Sequence, residues 1–387
     1  MKFSLKLITL GVLSIPCNAA GPYECGKGVS ELPGSAYTLT EGKDYDLSQL
    51  SAYFKKQNKI VTVSAVLASG NHKLRAEKTA SGWPYEKPLS ARRWESKAEG
   101  FDDFGTKAWV PQGLTSSADA AKGGKWEGKD AFIVSWHDKD DTSVRVTFVD
   151  NSNDKYRHVL LVVPDGKDNF KRLAIHAGGI MWYGNTLWVV DTDRGIRVFD
   201  LNNIWRVESG DGVGKKAGGG YSAQGYEFVI PQIRAYHWTP DQAFKFSWIS
   251  LDRQGGGDTL MVGEFRDSNK YPIRFVKWPL DATTQRLKMD SKKVAVASWA
   301  YCVGILRVQG AVSHGKDIYI SRSGLKRGPS DLFTWKSPAK SYKNNAGFLP
   351  PGPEDLTFNP TTNTFATVTE FPNKRWILTY KASQPKW

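Results

Sequence analysis

The sequence predicts an all-β fold, a five-bladed β-propeller with six or seven blades as alternatives, preceded by an irregular N-terminal extension. Three observations carry this expectation. Gly 37, Trp 15, Tyr 15 and Phe 18 are spread through many short alternating runs bounded by turn residues, which is strand composition. Long helical periodicity is nearly absent, Asp46 to Lys56 (DLSQLSAYFKK) being the clear exception, with an acidic cap before Leu47, Leu50 and Tyr53/Phe54 at helical spacing. From about residue 105 the chain also resembles itself at intervals, the mark of stacked repeats.

Residues 1–19 come first. Lys2 and Lys6 precede a short apolar run, Leu7 to Ile15, and Cys17-Asn18-Ala19 has the small residues of a cleavage site. This pattern predicts a secretory signal peptide cut after Ala19. No later segment is long and apolar enough for a transmembrane helix, so a secreted, extracellular product is expected, and we take it as a monomer. Of three cysteines, Cys17 leaves with the leader, and the remaining pair, Cys25 and Cys302, predicts one disulfide. Residues 20–104 form the extension, in which Lys59 to Leu67 (KIVTVSAVL) is a candidate strand for closing a ring.

Residues 105–387 hold the repeats. QGLTSSAD, DAFIVSWHD and SVRVTFVD form the first set, and HAGGIMWYG, TLWVVDTD and GIRVFDL the second. FSWISLDRQ, DTLMVGEFRD and PIRFVKWPL form the third, and QGAVSHG, DIYISRSG and DLFTWKSP the fourth. EDLTFNPTTN, TFATVTEFP and RWILTYKA end the series one strand short. Each unit reads as strand, turn, strand, turn, strand, and YRHVLLVVP and GYEFVIPQI are candidate further strands. One such unit cannot bury both its faces; stacked between neighbours, it can.

In a propeller the start of each inner strand and the end of the next strand share one face of the disc. Inner strands begin at Gln112, His176, Ser247, Gln309 and Glu354-Asp355. Second strands end at His137-Asp138, Asp191-Asp193-Arg194, Glu264-Arg266, Ser321-Arg322 and Glu370. The expectation is a polar rim around one channel mouth, the default ligand site of such a fold.

WVPQGLTSSAD, IVSWHD, YRHVLLVVP, HAGGIMWYGNTLWVVDTDRGIRVFD, VQGAV and GPEDLTF resemble the exported β-propeller proteins of actinomycetes and filamentous fungi, most of them described only as secreted proteins. The resemblance spans roughly Ala108 to Lys381. It implies a propeller and export, and it brings no catalytic roles.

The rim points to carbohydrate. His137, His176, Asp191, Glu264 and Glu370 offer acids and bases, and glycoside hydrolysis uses a carboxylate pair, for which Asp191 and Glu264 are the first choice. In a lyase, His176 is the base or acid, and Arg194, Arg266 or Arg322 neutralises a uronate. Trp182 and Tyr183 are candidates for sugar stacking or for packing between blades. The formal charge of +14, or +12 without Lys2 and Lys6, favours an acidic glycan. The alternative is a non-enzymatic protein that binds a surface partner. Glu354, Asp355, Asp191, Gln112 and Gln309 offer hard oxygen ligands that suit Ca²⁺, without a contiguous Ca²⁺ loop. There is no HExxH, GxSxG, P-loop or dinucleotide fingerprint. There is also no Asn-x-Ser/Thr sequon, and no nucleic-acid-binding signature.

Overall fold

The computed structural model describes residues 24–25, 28–78, 84–253 and 256–387. The signal-peptide reading of residues 1–19 lies outside them. The chain is nearly all β and propeller-like. Its strands form successive antiparallel four-stranded units. In the first, Trp109–Ser116, Ala131–Asp138, Val144–Asp150 and Lys155–Pro164 pair in order. The second runs Ile180–Tyr183, Thr186–Asp191, Gly195–Asp200 and Phe228–Trp238. The third runs Trp248–Asp252, Thr259–Gly263, Arg274–Asp281 and Trp299–Cys302. The fourth runs Val308–His314, Asp317–Arg322, Ser330–Lys336 and Tyr342–Leu349. Last come Pro353–Asn359, Thr364–Thr369 and Trp376–Lys381, whose fourth strand is Ser90–Arg93 from the N-terminal segment.

The first strands adjoin one another in a closed order, and the last meets the first again. Their approach is close. A Cβ on Gly113 would stand 2.6 Å from Ile180 N, and one on Gly179 would stand 2.6 Å from Trp248 Cα. A side chain at either position would push neighbouring units apart.

Packing explains why strand sequences such as LWVV are apolar throughout. Successive side chains on a strand point to opposite faces. Leu187 and Val189 enter the core between the first and second units, whereas Trp188 and Val190 enter the core between the second and third. Similarly, Ile318 and Ile320 pack toward the third unit and Tyr319 packs toward the last. The core between the last and first units holds Trp136, Val134, Val368 and Ile377. Trp182 and Tyr183 belong to these interfaces, being 0% and 4% exposed, so they pack between sheets and do not stack on a ligand.

Short strands between Ser30 and Arg93 lie at the perimeter and pair with outer strands. Ser30–Glu31 pairs with Trp299–Cys302, Thr38–Glu41 with Phe228–Trp238, and His72–Lys73 with Lys155–Pro164. Ser90–Arg93 then completes the last unit. This belt covers backbone edges that would otherwise be open to pairing with another chain. The Cys25–Cys302 disulfide anchors its start to the third unit. The segment Lys59 to Leu67 is not the closing strand. Ile60–Val61 pairs with Ile204–Arg206, and Val63–Ala68 is a helix whose Thr62 side chain accepts from Ala65 N at 3.1 Å. Val63, Val66 and Leu67 are buried at helical spacing. The expected helix forms as Ser48–Lys56, with Ser48 N donating to Asp46 Oδ1. The first and second units are also fused, because Leu160–Val162 pairs in parallel with Val229–Pro231, a link between units that the repeats did not suggest.

Candidate functional site

The turn ends of the strands converge on a cavity of about 600 Å³ at the mouth of the ring. Gln112, His137, His176, Ser247, Arg266, Gln309, Glu354 and Glu370 line it, so eight of the rim residues named from sequence meet there. Lys245, Phe265, Asp267 and Tyr271 complete much of the wall. A second cavity, of about 470 Å³, adjoins it through His176 and holds Asp141, Asp191, Asp193 and Arg194.

Two carboxyls dominate the first cavity. Glu354 accepts from Gln309 Nε2 at 3.0 Å. Its burial, together with the charges of Glu370 and Asp355, pushes its pKa well above the carboxylate range. Burial pushes Glu370 up to about 7, against the opposing pull of Arg375, the Gln112 amide and Arg327. Gln112 Nε2 lies 3.4 Å from Glu370 Oε2, and Arg375 Nε donates to the Glu370 carbonyl at 2.7 Å. Burial thus raises the proton affinity of both neighbouring carboxyls, and carboxyls tuned in this way are what acid–base chemistry uses.

The basic wall comes from one strand end and its neighbouring loop. Arg266 Nη2 donates to Glu264 Oε1 at 2.7 Å, and its guanidinium lies over the Tyr271 ring at 5.1 Å. Its Nε is buried and has no hydrogen-bond partner among the described residues. Lys245 pairs with Asp193. The two histidine rings stand 4.3 Å apart, centroid to centroid. His137 Nδ1 is 2.6 Å from Asp141 Oδ1, and His176 Nδ1 is 3.3 Å from the same oxygen. Burial and the neighbouring His176 lower the His137 pKa.

The remaining sequence candidates lie elsewhere, each for a physical reason. Glu264 is fully buried and absent from the cavity lining. Its oxygens accept from Arg274 Nε at 2.6 Å, Arg274 Nη2 at 2.9 Å and Lys245 N at 3.1 Å, as well as from Arg266. It fixes the loop that carries Arg266, so the expected pairing of Asp191 with Glu264 does not face the cavity. Asp191 Oδ2 accepts from Arg197 Nε at 2.9 Å and Nη2 at 2.6 Å. Arg194 is exposed at the second cavity. Arg322 pairs with Asp331 and covers the Phe333 ring. Asp355 is fully buried, accepting from Ile180 N at 3.2 Å and Leu356 N at 3.0 Å, and clamps the first strands of two units together. Of the oxygen set expected for Ca²⁺, Gln112, Gln309 and Glu354 line the first cavity, whereas Asp355 is buried and Asp191 borders the second. Among the described residues the one group of three metal-type side chains is His137, Asp141 and His176.

Sequence reasoning missed Lys245, Tyr271 and Asp141. Lys245 and Tyr271 sit in loops, which strand alignment does not place. Asp141 carried a signal, since WHDKDD sets it four residues after His137 on the hairpin that ends the strand.

No protein-family model matches the chain, and no curated protein matches it in sequence. Among solved structures it is similar to a thermostable family-43 glycoside hydrolase, with a TM-score of 0.36 and 11% identity over 70% of this chain and 88% of that chain. It is also similar to hydrazine synthase of Kuenenia stuttgartiensis, with a TM-score of 0.33 and 12% identity over 71% and 96% of the respective chains.

Proposed function

We propose that this chain is an exported, monomeric, five-bladed propeller that binds an acidic glycan at the channel mouth and cleaves it there. The observation that carries the reading is the union, in one cavity, of two buried carboxyls with raised proton affinities and a basic wall. Glu354, whose burial favours the protonated form, is assigned to give a proton to the departing glycosidic oxygen. Glu370, near half-ionised at neutrality, can accept one from an attacking water. Arg266, whose Nε has no partner among the described residues, and Lys245, which would exchange Asp193 for the substrate, are assigned to a uronate carboxylate, and the excess of basic residues adds long-range attraction. Catalysis is assigned to Glu354 and Glu370 in place of Asp191 and Glu264, whose oxygens are taken by arginines. Export rests on the N-terminal pattern, and the disulfide and the absence of a membrane-crossing helix among the described residues are compatible with it.

The test is a turnover screen of the mature protein on neutral and uronate polysaccharides, following new reducing ends and the absorbance of unsaturated uronates. Product from a uronate polymer, abolished in Glu370→Gln, supports the reading. Full activity in that variant removes Glu370 from the mechanism. Binding without product at any pH assigns the cavity to recognition alone, the role of a non-enzymatic surface-binding protein.

A further inference from the structure

A second chemistry lies at the edge of the cavity, and it does not depend on the glycan reading. His137 ends the second strand of the first unit, and Asp141 lies in the hairpin that follows. His176 comes from the segment leading into the second unit. The three offer ligand atoms within 4.8 Å of one another. We propose that His137, Asp141 and His176 form a binding site for a divalent transition cation of the zinc type.

Four observations support this. First, the donor set is two imidazoles and one carboxylate. Zinc takes three such ligands in open sites and keeps a further position for water or substrate. Calcium and magnesium demand more oxygen donors than these residues supply. Second, the imidazoles are packed with their centroids 4.3 Å apart and share a carboxylate, His137 Nδ1 and His176 Nδ1 lying 2.6 and 3.3 Å from Asp141 Oδ1. Asp141 thereby holds both rings toward one point, with His137 Nδ1 also 2.7 Å from the Asp138 carbonyl oxygen, while His176 at 44% exposure leaves the point open to solvent. A cation entering there would take the place of the proton contacts. Third, the hairpin is tied independently of the Asp141 side chain. Asp138 Oδ1 accepts from Thr142 N at 2.6 Å, and Asp138 Oδ2 accepts from Thr142 Oγ1 at 2.5 Å. Asp141 itself sits at φ 55°, a conformation uncommon for residues other than glycine, and its carboxylate goes to the histidines. Fourth, His137 and His176 line the first cavity, while His176 and Asp141 line the second. An ion held there would border both cavities and reach any ligand in the first.

The proposed site takes a different metal and a different set of residues from the Ca²⁺ expectation. His137 and His176 were visible as rim residues, but the cation chemistry depends on Asp141.

The experiment is a competition titration of tag-free, chelator-stripped full-length mature protein with Zn²⁺ against a chromophoric chelator, with Ca²⁺ run in parallel. One equivalent of Zn²⁺ should bind, and Ca²⁺ should not compete. His176→Ala and Asp141→Asn should each weaken the site on the order of 100-fold, since loss of even an outer partner of a metal ligand costs about 10–100-fold. Both residues are at the surface, and matching thermal melts of the metal-free proteins will show that folding is intact. Failure to bind Zn²⁺, affinity unchanged in both variants, or equal affinity for Ca²⁺ would each overturn the assignment.

Discussion

Replacing Glu370 with Gln separates the work of its charge from the work of its shape. In an unfolded chain this carboxyl ionises near 4.5, and in the fold burial moves it to about 7. Between those values the unfolded state has released a proton that the folded state keeps, so stability declines as pH rises. Below 4.5 the two states carry the same charge and there is no penalty. Above about 7 the penalty is complete, roughly 3 kcal/mol from the displacement of the pKa. The amide has no proton to lose and keeps the contact with Gln112. Glu370→Gln should therefore match wild type near pH 4 and exceed it by roughly 2–3 kcal/mol at pH 8, while losing turnover. Urea denaturation of the two proteins at pH 4, 6 and 8 measures the difference directly, and other titrating groups common to both cancel in it. A difference that stays constant across this range, or a variant less stable at pH 8, would refute the claim that Glu370 carries a displaced pKa.

Other outcomes follow from the packing. Asp103 is buried with Arg145 Nη2 at 2.6 Å, His158 Nε2 at 2.8 Å and the Tyr156 hydroxyl at 2.9 Å. Asp103→Asn leaves a buried guanidinium without its counter-charge, and it should cost about 3–5 kcal/mol in denaturation midpoint analysis. His158 gives a pH dependence of the opposite sign to that of Glu370. Burial and Arg145 push it down to about 4, so the unfolded chain takes up a proton that the fold refuses, and stability falls as pH drops from about 6.5 toward 4. His158→Gln should flatten that limb of the profile. Reduction of Cys25–Cys302 should cost about 2–5 kcal/mol, and partial proteolysis should then start in the released N-terminal belt. Non-reducing mass spectrometry that finds two free thiols would contradict the disulfide.

Much of the architecture was legible because the repeats present the same physics several times. TLWVVD is continuous in hydrophobicity since its alternate side chains fill two different cores, and DTDRG follows it because the strand ends at solvent there. The belt was not legible. Its strands are two to four residues long, and their partners lie far along the chain, from Lys155 for Lys73 to Thr379 for Ser90, so pairing is settled by the outer edges they cover. KIVTVSAVL shows the conflict. Its β-branched residues favour a strand, but the Thr62 cap and the burial of Val63, Val66 and Leu67 on one face make most of it a helix. At the site, position was readable and partnership was not. Gln112, His137, His176, Gln309, Glu354 and Glu370 reach one cavity as their strand ends require. Nothing in the sequence says that Glu264 is enclosed by Arg274 and Arg266, or that Asp191 is taken by Arg197.

The central claim is that the channel mouth recognises an acidic glycan through Arg266 and Lys245. It is tested most directly by calorimetric titration of the mature protein with a uronate oligosaccharide and with its carboxyl-reduced counterpart of identical linkage. The account predicts that the uronate binds, that the reduced sugar binds at least tenfold more weakly, about 1.4 kcal/mol, and that Arg266→Ala removes the difference. Equal binding of both sugars, or a preference that survives in Arg266→Ala, would contradict it.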